Sequence, residues 1–267
     1  MLNHYENQCM PALVKLLDGD VITYSVLRKI LSGVCTDIYT DGEGFIIAYS
    51  APPYPVWVWC RNEEDADAVR QIARCLKTQF PLEQGFVVIL SYELRWKLAE
   101  EDGYFAAARE KMGLLSYRLD TLAPEPPRCE GDMRLVSPQE LEALIPHWIA
   151  MHVEMEGRQI TPERAMETMT RMAGEKRLFA WCDAAGDIVA LCARADQMPY
   201  GKVTSVYTLP EHRRRGYCRN LVYRVTKQML DDGFTPILYT DAAYAASNAC
   251  YQKIGYRQIG RLTSMEQ

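Results

Sequence analysis

The chain has 267 residues, 48% of them hydrophobic and 24% charged, and its 30 basic and 35 acidic side chains give a net charge of -5. This composition excludes disordered, collagen-like and coiled-coil proteins, and the length fits one large domain or two of ordinary size. The apolar runs are too short to span a bilayer, and the first residues lack the pattern of a secretory signal. We therefore expect a soluble globular protein with no membrane partner.

Nine cysteines are scattered along the chain without a CxxC pair. An odd number of widely spaced cysteines is typical of reduced thiols, so we expect a cytoplasmic protein. A structural zinc site needs paired ligands at short spacing, and the four histidines form no metal-binding motif. No metal site is predicted.

The charge is distributed unevenly. Residues 1–130 carry 13 basic and 19 acidic side chains, and residues 131–267 carry 17 and 16. Neither half has the basic excess of a protein that binds duplex nucleic acid, so no nucleic-acid partner is expected. The dense basic cluster at Arg213–Arg215 points instead to a phosphate ligand.

The first half of the chain predicts helices and short strands. The predicted helices cover residues 13–31, 62–76 with Asn62 as N-cap, 92–101 and 104–112, and the predicted strands cover residues 37–40, 45–49, 56–59, 87–90 and 114–119. Three prolines and one glycine then break both kinds of element between residues 123 and 131. We therefore predict an N-terminal α/β domain at 1–123, a linker at 124–131 and a second domain at 132–267.

The second half predicts helices alternating with strands. The predicted helices cover residues 138–153, a segment opened by Thr161 and Pro162, 218–229 and 247–254, and the predicted strands cover residues 178–182, 188–194, 203–208, 237–240 and 256–259. This order implies an α/β (α+β) fold with a mixed sheet flanked by helices. The first half repeats the order of strands and helices, which suggests a structural duplication.

The strongest functional signal follows the predicted strand 203–208. The strand ends near Pro210, the basic turn Arg213–Arg215 comes next, and an amphipathic helix begins after Gly216. Backbone N–H groups converge at such a turn, and the helix dipole adds positive character. Gly216 has no Cβ to block a phosphate, and the arginines suit a pyrophosphate. The pattern indicates an anion site.

A second signal lies between residues 239 and 256. A short strand leads into a helix that carries Asn248 and Tyr251 one turn apart, so both side chains can face one cleft. Gly255 is suited to the end of that helix.

These two stretches together resemble the acetyl-CoA site of the GNAT superfamily of N-acetyltransferases. The segment Arg213-Arg-Arg-Gly-Tyr-Cys218 is similar to the pyrophosphate loop (Gln/Arg)-x-x-Gly-x-(Gly/Ala), and Ser247–Tyr256 is similar to the last helix and strand of that family. The amino-acid sequence of the two stretches is most similar to the branch with a glycine N-acyltransferase-like C-terminal domain and a separate N-terminal domain. The resemblance covers residues 132–263.

The resemblance implies a role for each matching residue. The implied cofactor-binding residues are Val206, Tyr207, Thr208, Arg213, Arg214, Arg215, Gly216, Tyr217, Cys218, Asn248 and Tyr251. The backbone of 206–208 would pair with the pantetheine arm and stabilise the oxyanion, residues 213–218 would hold the pyrophosphate, and Asn248 would touch the pantetheine. Tyr251 would be the general acid that protonates the CoA thiolate, and a phenol of pKa near 10 suits that step.

Cys218 departs from the family pattern, which has Gly or Ala there. At a helix N-terminus its thiol could have a lowered pKa and oxidise readily. We favour the other interpretation, a small buried residue that faces the sheet, because this is the usual role of a free cysteine.

The general base is open from the sequence. Glu154 is our candidate, and Glu156, His152, Glu211 or a chain of waters are the alternatives. In the first half, the position equivalent to the arginine turn reads Cys60-Arg-Asn-Glu-Glu-Asp65, an acidic start that would repel a pyrophosphate. We expect this half to be a degenerate GNAT-like domain that shapes the substrate cleft or forms a homodimer contact.

The sequence therefore predicts an enzyme, an N-acetyltransferase that moves an acetyl group from acetyl-CoA directly to a primary amine. The alternative is a non-catalytic acyl-CoA-binding regulatory protein. The acceptor is a small-molecule or peptide amine, and amino acids, polyamines, aminoglycosides, peptide N-termini and protein lysines all stay open. The acidic first half favours a cationic acceptor through electrostatic steering.

Overall fold

The protein forms two compact units. The structure, a computed structural model, describes residues 2–33, 35–157 and 159–267, and of Thr36 and Glu156 the backbone alone. The first unit comprises Met1–Ser116, Thr240–Ala245 and Gln258–Gln267, and the second comprises Tyr117–Tyr239 and Ala246–Arg257. The compact units thus divide at other residues than the predicted domains 1–123 and 132–267, which stay a prediction.

Helices and strands alternate along the chain. The strands are β1 (Asn3–Gln8), β2 (Cys35–Thr40), β3 (Phe45–Tyr49), β4 (Val56–Cys60), β5 (Val88–Ser91), β6 (Arg109–Leu119), β7 (Asp132–Leu135), β8 (Leu178–Cys182), β9 (Ile188–Gln197), β10 (Tyr200–Thr208), β11 (Thr235–Asp241) and β12 (Tyr256–Glu266). The helices are α1 (Pro11–Val14), α2 (Ser25–Ser32), α3 (Ala66–Gln79), α4 (Tyr92–Glu101), α5 (Gly103–Ala106), α6 (Leu141–Glu156), α7 (Pro162–Gly174), α8 (Tyr217–Asp231) and α9 (Ala245–Ile254).

In the first unit, neighbouring strands run in the order β1-β2-β3-β4-β5-β12. The β4–β5 pair is parallel, and the other pairs are antiparallel. Every residue of β3 and β4 is buried, as expected for strands covered on both faces. Residues of α3 and α4 pack into one core cluster and residues of α1 and α2 into another.

In the second unit, the order is β11-β10-β9-β8-β7, with β10 and β11 parallel and the other pairs antiparallel. Helices α6 and α7 contribute Trp148, Met151 and Met169 to a core shared with β8, β9 and β10. Helix α8 contacts the same three strands. The protein therefore has the mixed α/β architecture, with sheet strands flanked by helices, that the sequence predicts.

Two sequence predictions in the first half are wrong. Residues 104–112 do not form one helix, because α5 ends at Ala106 and β6 begins at Arg109. Arg109 and Lys111, two residues apart, both form ion pairs with Glu266, at 3.1 and 2.8 Å, so their side chains share a face with the period of a strand. The helix predicted at 13–31 is interrupted between residues 18 and 24, where the chain turns.

The N-cap of α3 is also corrected. Asp65, not Asn62, caps this helix, because its carboxylate accepts hydrogen bonds from the backbone N–H of Asp67 and Ala68 at 3.0 and 3.2 Å. The Asn62 amide oxygen instead accepts from the backbone N–H of Glu64 at 3.2 Å, in a turn that precedes the helix.

The proline-rich segment 123–131 lies against α8. The Asn220 side chain donates to the carbonyl of Pro127 at 3.2 Å, and the Tyr217 hydroxyl donates to the Glu130 carboxylate at 2.6 Å.

Among the described residues, no helix combines the length and the apolar character that crossing a bilayer requires.

Candidate functional site

The candidate site begins where two parallel strands of the second unit separate. Strand β10 pairs with β11 from Tyr200 to Val203, and the partner residues run from Thr235 to Leu238. Strand β10 continues to Thr208 beyond the last of these pairs. The backbone of β10 is therefore open on its β11 side in the stretch that contains the predicted residues 206–208.

A β-bulge lies in this stretch. On its other side β10 pairs with β9, and the register passes from Thr204 opposite Ala193 to Tyr207 opposite Leu191. Two residues of β10, Ser205 and Val206, thus stand opposite a single residue of β9. Ser205 has φ +50°, in the left-handed region. A bulge releases backbone groups from the ladder and often re-aims them at a functional site.

The strands β10 and β11 border a cleft, which we call the strand cleft. It is lined by Met155, Lys202, Val203, Thr204, Ser205, Val206, Tyr239 and Tyr251. Of these, the sequence predicted only Val206 and Tyr251 as site residues. The bulge at Ser205 leaves no mark in the residue types, whereas Lys202 is visible in the sequence as a charged residue inside an otherwise uncharged strand.

The loop after β10 leads into an open helix end. Helix α8 has Gly216 as its N-cap, with φ +87° and no side-chain hydrogen bond to the first turn. The first N–H groups of a helix have no partner within the helix, and the dipole makes this end positive. Gly216 supplies no capping side chain, so this end of α8 is open to an anion, and the anion site stays a prediction from the sequence.

The three arginines of the loop differ in their surroundings. Arg213 is held by the protein, since its guanidinium donates to Glu154 at 2.7 Å and to the carbonyl of Thr208 at 3.1 Å and lies over the Tyr207 ring at 5.5 Å. The Glu154 hydrogen bond raises the pKa of Arg213. Arg214 and Arg215 are exposed beside the helix end.

The side chains of Tyr207 and Tyr217 are buried rather than open to the loop. Tyr207 packs into the core between β10 and α6, and Tyr217 is 2% exposed, with its hydroxyl bonded to Glu130. Both positions can therefore offer a ligand their backbone, while their rings support the fold.

Cys218 does not have the lowered pKa that a helix N-terminus could produce. A hydrogen bond with the Cys250 thiol, together with burial, raises the pKa of the Cys218 thiol well above its usual value. The same hydrogen bond lowers the pKa of Cys250. The less favoured interpretation of Cys218, a reactive thiolate, is therefore not supported, because its neighbours favour the protonated form.

Tyr251 lies on α9 and lines the strand cleft. It is 7% exposed, and its ring meets that of Tyr256 edge-on at 6.2 Å. Burial raises the pKa of Tyr251 well above its usual value, so the phenol stays protonated at neutral pH. Asn248 lies one helical turn earlier and is 8% exposed.

The candidate bases occupy different places. Glu154 is at the C-terminal end of α6, bonded to Arg213, and it is not among the residues that line the strand cleft. Taking up a proton there would cost the ion pair with Arg213. The side chain of Glu156 lies outside the described residues. His152 and Glu211 also lie outside the lining, so the base stays a prediction.

The overall fold is that of the GNAT acetyltransferases. A GCN5-related N-acetyltransferase from Sphaerobacter thermophilus superposes with a TM-score of 0.74 and 16% identity over 99% of this chain and 94% of that one. A GNAT-family acetyltransferase from Colwellia psychrerythraea gives 0.61 and 12% over 100% and 99%. A GCN5-related N-acetyltransferase-like protein from Streptococcus suis gives 0.55 and 16% over 95% and 96%.

The sequence itself is similar to one family model. Residues 181–264 match the FR47-like protein family. This match includes β10, the arginine loop, α8 and α9, which together form the candidate site. No curated protein sequence matches the chain. The sequence similarity to a known family thus covers the part of the chain that carries the candidate site.

Proposed function

We propose that the protein is an acetyl-CoA-dependent N-acetyltransferase that transfers the acetyl group directly to a primary amine. The observation that carries this proposal is the helix end of α8, capped by Gly216 alone and flanked by exposed arginines, next to a bulged strand with open backbone groups. The GNAT fold and the match to the FR47-like family support it.

The residues present fit the donor. Arg214, Arg215 and the N–H groups that follow Gly216 would hold its pyrophosphate, and the backbone of 206–208 would pair with its pantetheine arm. Asn248 on α9 and Cys218 on α8 would flank this path. Acetyl-CoA supplies a thioester carbonyl that an amine can attack.

Transfer forms a C–N bond and breaks the C–S bond. Backbone N–H groups at the bulge of Ser205 and Val206 would stabilise the negative charge that develops on the carbonyl oxygen. Tyr251, protonated and lining the cleft, would donate its proton to the departing thiolate. We keep Glu154 as the candidate base that takes the proton from the amine.

A second reading is a non-catalytic acyl-CoA-binding regulatory protein, and the same helix end supports it. In both readings we place the protein in the cytoplasm, since five of its cysteines are buried as free thiols. Assembly as a homodimer stays a prediction. The glycine N-acyltransferase-like branch stays one as well, because the family match does not reach that level of detail.

Cofactor binding is tested by thermal melts with and without saturating acetyl-CoA. A ligand at 100 times its Kd adds about 2.7 kcal/mol of stability, which raises the melting temperature by several degrees. Gly216→Glu, which places a carboxylate at the pyrophosphate position, should abolish this shift. Gly233→Glu is the matched control, because Gly233 also has a positive φ, +83°, and lies past the other end of α8. No shift in the folded wild type would refute the proposal.

Catalysis is tested by the release of CoA thiol with a panel of primary amines. Tyr251→Phe should keep the thermal shift with acetyl-CoA and lower turnover by roughly 10²–10⁴-fold. A wild type that binds acetyl-CoA and acetylates no amine would support the regulatory reading instead.

A further inference from the structure

Helix α8 carries a buried polar side chain in its first turn that the proposed reaction does not use. Asn220 is 4% exposed and lies one turn after the N-cap Gly216. Asparagine is a poor helix former, because its amide competes with the backbone for hydrogen bonds, and burying this amide costs free energy unless it is bonded. The partners of the Asn220 amide therefore indicate what it does at this position.

The Asn220 amide joins two backbone carbonyl groups. Its Nδ2 donates to the carbonyl of Gly216 at 3.1 Å and to that of Pro127 at 3.2 Å. The backbone N–H of Asn220 donates to the same Gly216 carbonyl at 3.1 Å. Because both side-chain partners are acceptors, only the NH2 end of the amide can face them, and it has one hydrogen for each. A single residue thus holds the Gly216 carbonyl with two donors and joins it to Pro127.

Further hydrogen bonds fix the chain around Pro127. We call residues 127–130 the strap. The Glu130 carboxylate at its end accepts a hydrogen bond from the Tyr217 hydroxyl at 2.6 Å, and the Glu130 carbonyl accepts one from the indole N–H of Trp181 on β8 at 2.9 Å. The strap is therefore bonded to the start of α8 at both of its ends and to the sheet at one of them.

Gly216 is the residue that the strap and Asn220 hold. Its φ of +87° lies in the left-handed region, which a glycine enters and leaves at little cost unless its neighbours fix it. A Cβ on Gly216 would lie 3.8 Å from Nδ2 of Asn220 and 4.0 Å from Cβ of Cys129, so both neighbours are on the side where a side chain would project. The first N–H groups of a helix point out of its N-terminal end. Fixing Gly216 therefore fixes the direction of these donors.

We propose that Asn220 is a positioning residue for the acetyl donor, because it holds Gly216 against the strap and so keeps the first N–H groups of α8 arranged for the pyrophosphate. This inference rests on the proposed function. Donors that are arranged before binding need no further ordering when the anion arrives. Asn220 acts through Gly216, so it affects the binding of a donor that has a pyrophosphate and not the transfer step. The segment 124–131, predicted as a linker, thereby supports the donor site.

Calorimetric titration with acetyl-CoA tests this inference without relying on turnover. Asn220→Leu keeps most of the buried volume and removes both side-chain hydrogen bonds, so we expect the Kd for acetyl-CoA to rise about fivefold to tenfold. Asn220→Ser should give a smaller rise, because a serine hydroxyl can donate to the carbonyl four residues earlier but has no second hydrogen for Pro127.

Thr226→Val is the matched control. Thr226 is also a buried polar residue of α8, and its hydroxyl is hydrogen-bonded to that of Tyr256 at 2.8 Å, away from the strap. Its replacement should leave the Kd for acetyl-CoA unchanged. Tyr217→Phe frees the Glu130 end of the strap and should raise the Kd in the same direction as Asn220→Leu. If Asn220→Leu does not fold, Asn220→Ser and Tyr217→Phe decide the test.

The choice of donor separates positioning from a general structural role. S-acetylpantetheine has the thioester and the pantetheine arm of acetyl-CoA but no pyrophosphate. With an amine that the wild type acetylates, Asn220→Leu should raise KM for acetyl-CoA and change kcat by less than about twofold. Its kcat/KM for S-acetylpantetheine should equal that of the wild type.

The outcomes for the two proposals differ. If the wild type does not bind acetyl-CoA, the proposed function fails. If the wild type binds acetyl-CoA and acetylates no amine, the Kd values alone decide about Asn220. If the folded Asn220 variants bind acetyl-CoA as tightly as the wild type, or lose activity with S-acetylpantetheine to the same extent, the inference about Asn220 is wrong.

Discussion

The two units contain similar local arrangements that end differently. In each unit a helix lies in the chain between the two strands of a parallel pair, α3 between β4 and β5 in the first unit and α8 between β10 and β11 in the second. Helix α3 is capped by the Asp65 carboxylate, whereas α8 begins at Gly216 without a side-chain cap. The protein thus caps one helix with its own carboxylate and leaves the other without a side-chain cap, where we propose that the pyrophosphate binds.

The strands that precede these two helices, β4 and β10, also differ in how regularly their backbones are paired. Strand β4 pairs with β3 in continuous register from Trp57 to Cys60, whereas β10 has its bulge at Ser205. Near β5, the Glu63 carboxylate accepts a hydrogen bond from the Ser91 hydroxyl. A similar order of elements therefore does not make two binding sites, since function depends on which backbone groups the protein leaves open.

The largest expected effect concerns the exposed arginines at α8. Arg214→Glu combined with Arg215→Glu should weaken acetyl-CoA binding by about 100-fold or more, because two charge-assisted contacts become repulsive. Calorimetric titration measures this change. Arg70→Glu combined with Arg74→Glu, on the exposed face of α3, is the matched control and should change affinity less than about threefold. Equal losses in both pairs would mean that overall charge, not the loop, drives binding.

The next effect concerns the cap that closes α3. Asp65→Ala removes two hydrogen bonds to the first turn and should cost about 1 kcal/mol, which lowers the melting temperature by roughly 2–4 °C. Asp65→Ser keeps a capping oxygen and should restore most of this loss. Acetyl-CoA should give the same thermal shift in both variants. A change in that shift would show that the first unit takes part in cofactor binding.

Part of the candidate site in the second unit could be singled out from the sequence, whereas most of the lining of the strand cleft could not. Gly216, the arginines and Tyr251 could be singled out because a glycine, a charge cluster and a helical spacing each have a physical signature in the residue types, and their roles stay predictions. The bulge at Ser205 depends on the register between β9 and β10, which no local pattern records. Lys202 was not predicted as a site residue, because only the folded structure shows that it lines the strand cleft.

The predictions of helices, strands and caps also succeeded, in part, where the signal is local and failed where distant residues decide. Thr161 was predicted as the N-cap of α7, and its hydroxyl accepts from the Arg164 N–H at 3.3 Å. The long strand β6 was in part predicted as a helix, because the ion pairs of Arg109 and Lys111 with Glu266 join residues far apart in the chain. Local signals thus located the N-cap of α7 but not that of α3, which is Asp65 rather than Asn62, while distant pairing decides between helix and strand.

The smallest expected effect sharpens the contrast between an acid in the first unit and arginines in the second. Burial raises the pKa of Glu63, with Glu93 and Asp20 acting in the same direction against the hydrogen bond from Ser91. The folded state therefore favours the protonated carboxyl, and the stability that it contributes below the unfolded pKa is lost as the pH rises through the folded pKa. Glu63→Gln should raise the melting temperature at pH 7 by roughly 1–3 °C and match wild type near pH 4.

Glu64→Gln is the control for this pH dependence, because Glu64 is exposed and paired with Lys97 at 2.8 Å. Its removal should give no gain at pH 7, since an exposed ion pair contributes little in either direction. If Glu63→Gln instead lowers the melting temperature at pH 7, the ionised carboxylate stabilises the first unit. The acid near β5 would then be a charged support of the fold, like Asp65 at α3, and both acids of this loop would oppose an anionic ligand.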